Sequence, residues 1–323
     1  MKINKINRFL TVLLTFLSSL CIGSSQELVE TLPFGDFDNW TVRYIKESKL
    51  LGGKTKSLYV VAPTDTIWGN APFDFSKTIW GISNAYANVI GVAKAANSTS
   101  PEPRGDGYAA CMESKLMKVV VLGLVNIKVA VSGTLFLGSV LEPVKSANDP
   151  YGSIAYGIPF TKKPKSLMID IKSLISPENT MTKALGLGVS EIEGHDNAQI
   201  TLYLQKRWED EDGHIYAKRV GTIYNLLDKT IPEWENDYRI DIEYGDISNR
   251  VPFHDGHGLL PQKGIDYRDF NSKGKLTVVE ETGWGDPEDE PTHLMLIFSA
   301  GSQSAFISHI GNKLWIDNVR FVY

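Results

Sequence analysis

Trp68, Trp80 and Trp284 stand in WGNAP, WGISN and WGDPE, short stretches rich in Gly, Asn and Pro. An indole on such a loop has little packing reason to be there. A flat aromatic face can stack on the apolar side of a pyranose ring while nearby amides, carboxylates and Arg take the hydroxyls. With Tyr267, these three Trp are the candidate ligand-binding residues; the competing reading is that each lids the core. Trp40, Trp234 and Trp315 read as packing residues, and Trp208 as a cap at a sheet rim.

Beside Trp284 stand Glu280, Glu281, Asp286, Glu288, Asp289 and Glu290. Glycoside hydrolysis needs two carboxylates facing each other across the sugar, about 5 Å or about 6.5–9.5 Å apart. A glycoside hydrolase using this region is therefore the rival reading, although acidic clusters in Gly/Pro loops are commonly solvated faces. His254, Asp255 and His257 of HDGHG could suggest a transition metal. Zinc needs three or four convergent ligands, and neither a nearby Cys nor an HExxH helix completes the set, so a solvated turn is expected. The other His are scattered, and no nucleophile elbow, phosphate loop or dinucleotide fingerprint is present. No catalytic residue is assigned.

The elements that must position these residues begin after a leader. Lys2, Lys5 and Arg8 precede an apolar run from Phe9 to Ile22, and GSSQE follows, which reads as a secretory signal cleaved after Ser25. Cys21 offers a lipid-anchor alternative, but Leu20 stands where a lipobox wants a small residue. The expected location is the periplasm, the outer membrane surface or the medium. The formal charge is −5 and becomes more negative once the leader's cations are removed. Without a basic stripe, nucleic acid is excluded as a partner. Cys111 alone remains after cleavage and reads as a small buried hydrophobe.

From residue 26 onward the apolar segments are short and rich in Val, Ile, Tyr and Phe. ITLYLQKRW (200–208) sets Ile200, Leu202 and Leu204 against Thr201, Tyr203 and Gln205. Asp212-Gly213 then predicts a hairpin into IYAKRVGTIYNLL. YRIDIEY, HLMLIFSA and SLMIDIKS continue the series. In LWIDNVRFVY at the C-terminus, period two puts Leu314, Ile316 and Asn318 on one face and Trp315, Asp317, Val319, Phe321 and Tyr323 on the other. Residues 118–141 are interrupted by Lys118, Asn126 and Lys128, so they read as two core strands rather than a membrane span. Only 178–188 hints at a helical turn. The chain is expected to be all-β, an antiparallel β-sandwich or jelly roll forming one domain over 26–323.

Taken in order, FGDFDNW, WGNAPF, GYAACMESK, SGTLFLGSV with YGIPFTKKPKSLMIDIKS, DNAQITLYLQKRW, KRVGTIYNLLDKTIPEWENDYRIDIEY and HLMLIFSAG with NKLWIDNVRFVY resemble the "putative carbohydrate metabolism domain" family. These are exported proteins of Gram-negative gut-type bacteria, and the resemblance spans nearly all of 26–323. It implies a jelly roll, galactose-binding-like and similar to carbohydrate-binding modules, held at the cell envelope among glycan-using proteins. Its partners would be a polysaccharide or oligosaccharide and envelope proteins. It transfers no catalytic residue. It also suggests that the first and last strands hold a structural Ca²⁺ through Asp36, Asp38 and Asp317, which would explain an Asp among hydrophobes. The alternative is that Asp317 accepts backbone N–H groups. Residues 245–291 depart from the family as a loop-rich insertion, and its Ser/Gly-rich segment appears here as SAGSQSAFISHIGN.

Overall fold

The computed structural model describes residues 27–89, 91–121, 125–146, 149, 151–262 and 265–323; the leader read at 1–25, with Cys21, lies outside them. Among the described residues the chain is built of strands, and its helices are single 3₁₀ turns. Two large sheets pack face to face. The first runs Ile231–Asp241, Ser166–Leu174, Lys313–Val322, Gly107–Glu113, Thr99–Arg104, with Val29–Thr31 added to the C-terminal strand. The second is built on Thr134–Val140, His293–Ser299, Ala198–Glu209 and Ile215–Leu227, extended by Leu276–Trp284 and Arg268–Phe270. Between them lies the main core, with Leu167, Ile169, Ile171, Leu314 and Ile316 from one sheet. Leu135, Leu137, Ile200, Leu202, Leu294, Leu296 and Phe298 come from the other. Alternating positions on each strand supply these residues because successive side chains point to opposite faces.

The second sheet is covered on both faces. Phe136, Tyr203, Met295 and Ile297, which alternate with the core residues, form a second apolar cluster with Tyr156, Leu260 and Tyr267. Double burial explains why HLMLIFSA is almost continuously apolar. The covering chain comes from 245–291, which is more than loops. Its Leu276–Trp284 pairs in parallel with Ile215–Leu227, Ile215 opposite Val279. Asp212-Gly213 turns the expected hairpin, with Gly213 at φ +92° and Glu209 opposite Ile215.

The first and last described strands meet. Val29 pairs with Val322, the Leu32 N–H donates to Val319 O at 3.0 Å and the Val319 N–H to Gly35 O at 2.8 Å. The C-terminal strand departs from strict period two. Asn318 takes φ +50° and the pairing register with Ser166–Leu174 shifts between Met168 and Asp170. A bulge of this kind inserts one residue and reverses the alternation beyond it. Leu314, Ile316, Val319 and Phe321 therefore all face the core.

Two other expectations are corrected. Residues 178–188 form no helical turn: Thr180–Gly186 and Gly188–Glu193 are a hairpin, with Leu187 exposed at its tip. Residues 118–141 contribute three strands rather than two. Lys115–Val121 pairs with Val125–Val131, which in turn pairs with the 180–193 hairpin outside the sandwich, and only Thr134–Val140 enters the core sheet. Such segments have enough β-branched residues for strands but too many Lys and Asn positions for double burial.

Candidate functional site

On the outer face of the second sheet, where the second apolar cluster ends, the surface opens into a cavity of about 190 Å³. Its floor is Phe136, Tyr156 and Ile297 from the sheet, with Tyr267 beside them. The polar side is Ser132, Thr134, Gln199 and Ser299, and the far wall is the segment 301–307. Period two places these residues, because Thr134 and Phe136 point away from the core that Leu135 and Leu137 enter. The aromatic rings brace one another. Phe136 and Tyr156 lie 5.0 Å apart and tilted by 45°, and Tyr156 meets Tyr267 edge-on at 5.0 Å. Burial pushes the phenols of Tyr151, Tyr156 and Tyr267 up, so they remain neutral hydroxyls. Thr134 Oγ1 donates to Ser132 O at 3.2 Å and Ser299 Oγ accepts from the Gly301 N–H at 3.3 Å. Among the described lining residues there is no Asp or Glu.

The wall is the SAGSQSAFISHIGN segment. Ser302, Gln303 and His309 hold it to residues 195–197: Ser302 N–H donates to Asp196 Oδ1 at 2.8 Å, His309 N–H to Asp196 Oδ2 at 2.9 Å, and Gln303 Nε2 to His195 O at 3.1 Å. Phe306 takes φ +69° there, a conformation costly for a bulky side chain and held by its surroundings. At Gly301 a Cβ would fall 2.2 Å from Ser132 Oγ and 2.9 Å from Asp196 Oδ2, so a larger residue would displace those side chains.

The structure does not assemble the four aromatic candidates into one platform. Trp80 is fully buried on the strand Trp80–Ile82, edge-on to Phe37 at 5.3 Å, with its indole N–H donated to Pro33 O at 2.8 Å. Pairing with Thr134–Val140 turns WGI from the expected loop into a core strand. Tyr267 is also buried, as cavity lining rather than an exposed ring. Trp284 is half-buried at the end of Leu276–Trp284, 5.9 Å from the Arg219 guanidinium. Trp68 is the exposed one, at 71 %, and stacks on Tyr44 with centroids 4.2 Å apart and planes within 18°. Trp40 is buried as expected. Trp315 instead lies half-buried on the outer face of the first sheet, its indole N–H donated to Glu102 Oε2 at 2.7 Å. Trp234 is half-buried under the Arg104 guanidinium at 4.0 Å. Trp208 lies past the end of the core, beyond exposed Lys206, and stacks on Tyr216.

The carboxylates of 280–290 do not converge on a cleft. Glu281 is sealed: Arg219 Nε and Nη2 donate to Oε1 and Oε2 at 2.6 and 2.5 Å, Gln205 Nε2 to Oε1 at 2.5 Å, and the Leu260 N–H to Oε2 at 2.8 Å. Gln205 also accepts from Arg207 Nε, and Arg207 pairs with Asp269, so a buried polar chain ties residues 260–281 to the sheet. Asp286, Glu288 and Asp289 occupy a surface turn, where Asp289 pairs with Lys206 at 2.6 Å.

Asp36, Asp38 and Asp317 are not gathered either, and among the described residues no three His, Cys, Asp or Glu form a metal-holding group. Asp38 Oδ1 accepts the Tyr108 N–H at 2.8 Å. Asp317 pairs with Arg104, which also reaches Asp170 Oδ2 at 2.8 Å; Asp317 accepts the Asn318 N–H at 2.7 Å. The countercharge for the buried Asp317 is thus a guanidinium from the edge strand. HDGHG is a turn solvated on one side only, with His254 and Asp255 exposed. His257 is buried against Tyr224, its Nδ1 accepts the His254 N–H at 2.9 Å, and burial lowers its pKa to about 4. Cys111 is buried, and burial pushes its thiol up.

Of the cavity lining, sequence reasoning named Tyr267 and missed the rest, because those residues are scattered Ser, Thr, Gln and Tyr. The signal present was the polar half of each alternation together with SAGSQSAFISHIGN. Among solved structures, the chain is similar over 88% of its length to 71% of a "putative glycoside hydrolase" from Bacteroides thetaiotaomicron, at 16% identity and a TM-score of 0.48. It is similar over 90% of its length to 94% of a second such protein, from Bacteroides vulgatus, at 14% identity and a TM-score of 0.41. Likeness at this level carries no functional argument. No protein-family model and no curated protein matches the sequence.

Proposed function

We propose that this chain is a non-catalytic glycan-binding β-sandwich, one domain over 26–323, that takes up a sugar in the cavity between the second sheet and the 301–307 wall. The observation that carries the reading is the make-up of that cavity: aromatic rings for the apolar side of a pyranose, and Ser, Thr and Gln side chains for its hydroxyls. Its volume of about 190 Å³ is below the ~300–1,000 Å³ of drug-sized sites, which suits a single ring or a chain end. A hydrolase would need two carboxylates across the bond, and the described lining offers hydroxyls and amides instead. Exposed Trp68, flush on Tyr44, is a second contact for a longer polymer. The leader read at 1–25 would deliver the chain to the envelope, where such polymers arrive.

A glycan array probed with the wild type and with Gln199→Ala and Tyr151→Ala tests this. Wild-type binding that either cavity variant reduces at least tenfold is the expected result. Binding unchanged in both variants, or release of reducing ends from a bound glycan, overturns it.

A further inference from the structure

The 302–309 wall of the cavity has few attachments of its own. It follows the buried end of His293–Ser299 and contributes only Ile307–Ser308 to a sheet, paired with Thr180–Gly186. Its two ends converge on one side chain. Asp196, buried just ahead of Ala198–Glu209, takes the Ser302 N–H on Oδ1 and the His309 N–H on Oδ2, at 2.8 and 2.9 Å. The Asp196 main-chain oxygen accepts Asn312 Nδ2 at 2.8 Å, so the chain beyond His309 is tied to the same residue. Between the two fastened amides lie Gln303, Ser304, Ala305, Phe306 and Ile307, all of which line the cavity.

We propose that Asp196 is the positioning residue of the cavity: its carboxylate, with one oxygen on each end of the 302–309 wall, sets the shape in which the cavity takes a sugar, and protonating it frees one end. This rests on the glycan reading of the cavity for the nature of the ligand, but not for the fastening itself. A carboxylate accepts on both oxygens, whereas a carboxylic acid turns one of them into a donor that faces an amide N–H. Burial holds the Asp196 pKa up at about 6, against the pull of the two amide hydrogen bonds. The titratable side chain acting on it is His309, whose Nδ1 lies 2.9 Å from Thr180 O. At the base of the 180–193 hairpin, Asn179 and Glu193 pair with each other at 2.9 Å. Besides His309, the wall presents neutral Ser302 and Gln303, and neutral Asn312 lies just beyond it. The cavity is therefore expected to close into its binding shape above about pH 6 and to loosen below it.

Amide hydrogen exchange on the unliganded protein at pH 4.5 and 7.5, corrected for intrinsic rates, reads the fastening without any sugar. At least one of the Ser302 and His309 amides should be about fivefold to tenfold better protected at pH 7.5, the worth of one hydrogen bond, while Leu202 in the core strand stays constant. Asp196→Asn should abolish this difference, and His309→Gln, which keeps its main-chain N–H, should retain it. Equal protection at both pH values in the wild type overturns the proposal, as does a transition that follows His309 instead of Asp196. Titration with cellohexaose, xylohexaose and mannohexaose, whose own charge is constant with pH, should show affinity falling at least fivefold from pH 7.5 to 4.5. Constant affinity of a bound probe overturns the proposal. Absence of binding by all three with a normally protected wall overturns the glycan reading and leaves the fastening supported.

Discussion

Arg219 and Glu281 form a two-point pair at 2.6 and 2.5 Å in which neither side chain reaches solvent, with the guanidinium lying 3.5 Å over the Tyr203 ring. Every remaining acceptor position on Glu281 is directed inward, to Gln205 and the Leu260 N–H. The carboxylate nearest to a catalytic reading of the sequence is thus a fastener between residues 260–281 and the sheet. Removing its charge leaves a buried guanidinium uncompensated. Glu281→Gln is expected to cost about 3–5 kcal/mol, read as a lower urea midpoint at an unchanged slope. A variant with the wild-type midpoint would show that the pair contributes nothing to the fold.

Trp68 and Trp80 give the sharpest contrast between identical local sequence signals. Trp80→Ala would empty a site with no solvent contact, and a loss of about 3–5 kcal/mol follows from large-to-small substitution in a packed core. Trp68→Ala removes an exposed ring, so its stability should stay within about 0.5 kcal/mol of wild type while retention on an insoluble polysaccharide falls. Thermal melts and a pull-down on the same preparations check both halves. A large stability loss in Trp68→Ala would make that ring structural.

That contrast also marks how far the sequence could be read. Residues such as Ile200, Leu202 and Leu204, or Leu294, Leu296 and Phe298, announce a half-buried strand by period alone, and the sandwich follows from them. Trp68 and Trp80 both precede Gly, and only their pairing partners separate them: Trp80 lies opposite Leu137 within a sheet, and Trp68 lies on the short strand beside Tyr44. Pairing is non-local, so no window around either residue contains it. The same holds for Asn318, whose left-handed backbone shifts the alternation of the last strand, and for Arg104, which reaches Asp317 from 213 positions away. The cavity was the least legible part, because it is made from the polar halves of several strands.

Arg104 holds Asp170 and Asp317 on the outer face of the first sheet. Desolvation raises Asp317 despite the arginine. Desolvation pushes Asp170 the same way, but hydrogen bonds from the Asp237 N–H, Asn318 and Arg104 hold it below the usual range. Arg104→Gln leaves buried Asp317 without its countercharge beside Asp170, which keeps Arg320 at 2.7 Å. The expected destabilisation is about 3 kcal/mol at pH 7, and it should shrink toward pH 4 as Asp317 takes up a proton. Urea midpoints at the two pH values check this, and a loss that grows on acidification contradicts it. Since the guanidinium already serves as countercharge, a calcium chelator is expected to leave the wild-type melting midpoint in place. A drop on chelation would mean that Asp36 or Asp38 recruits an ion by another route.

The last expectation concerns Asp196 and stability rather than shape. Its pKa in the fold, about 6, is above that of an unfolded aspartate, so the folded chain binds the proton more tightly. The stability this contributes is fully present below about pH 4 and is lost as pH rises through about 6, a change of order 3 kcal/mol. Asp170 has the opposite sign, since its lowered pKa favours the fold as pH rises, so the raw profile of the protein mixes the two. Subtracting the wild-type curve from that of Asp196→Asn removes the shared contribution, provided the two sites are independent. The variant should gain stability relative to wild type between pH 4 and pH 7, even though it loses one acceptor for the wall. A difference curve that is flat, or that falls with pH, would mean that Asp196 is ionised in the fold at no cost, and the pH sensitivity assigned to the wall would lose its physical basis.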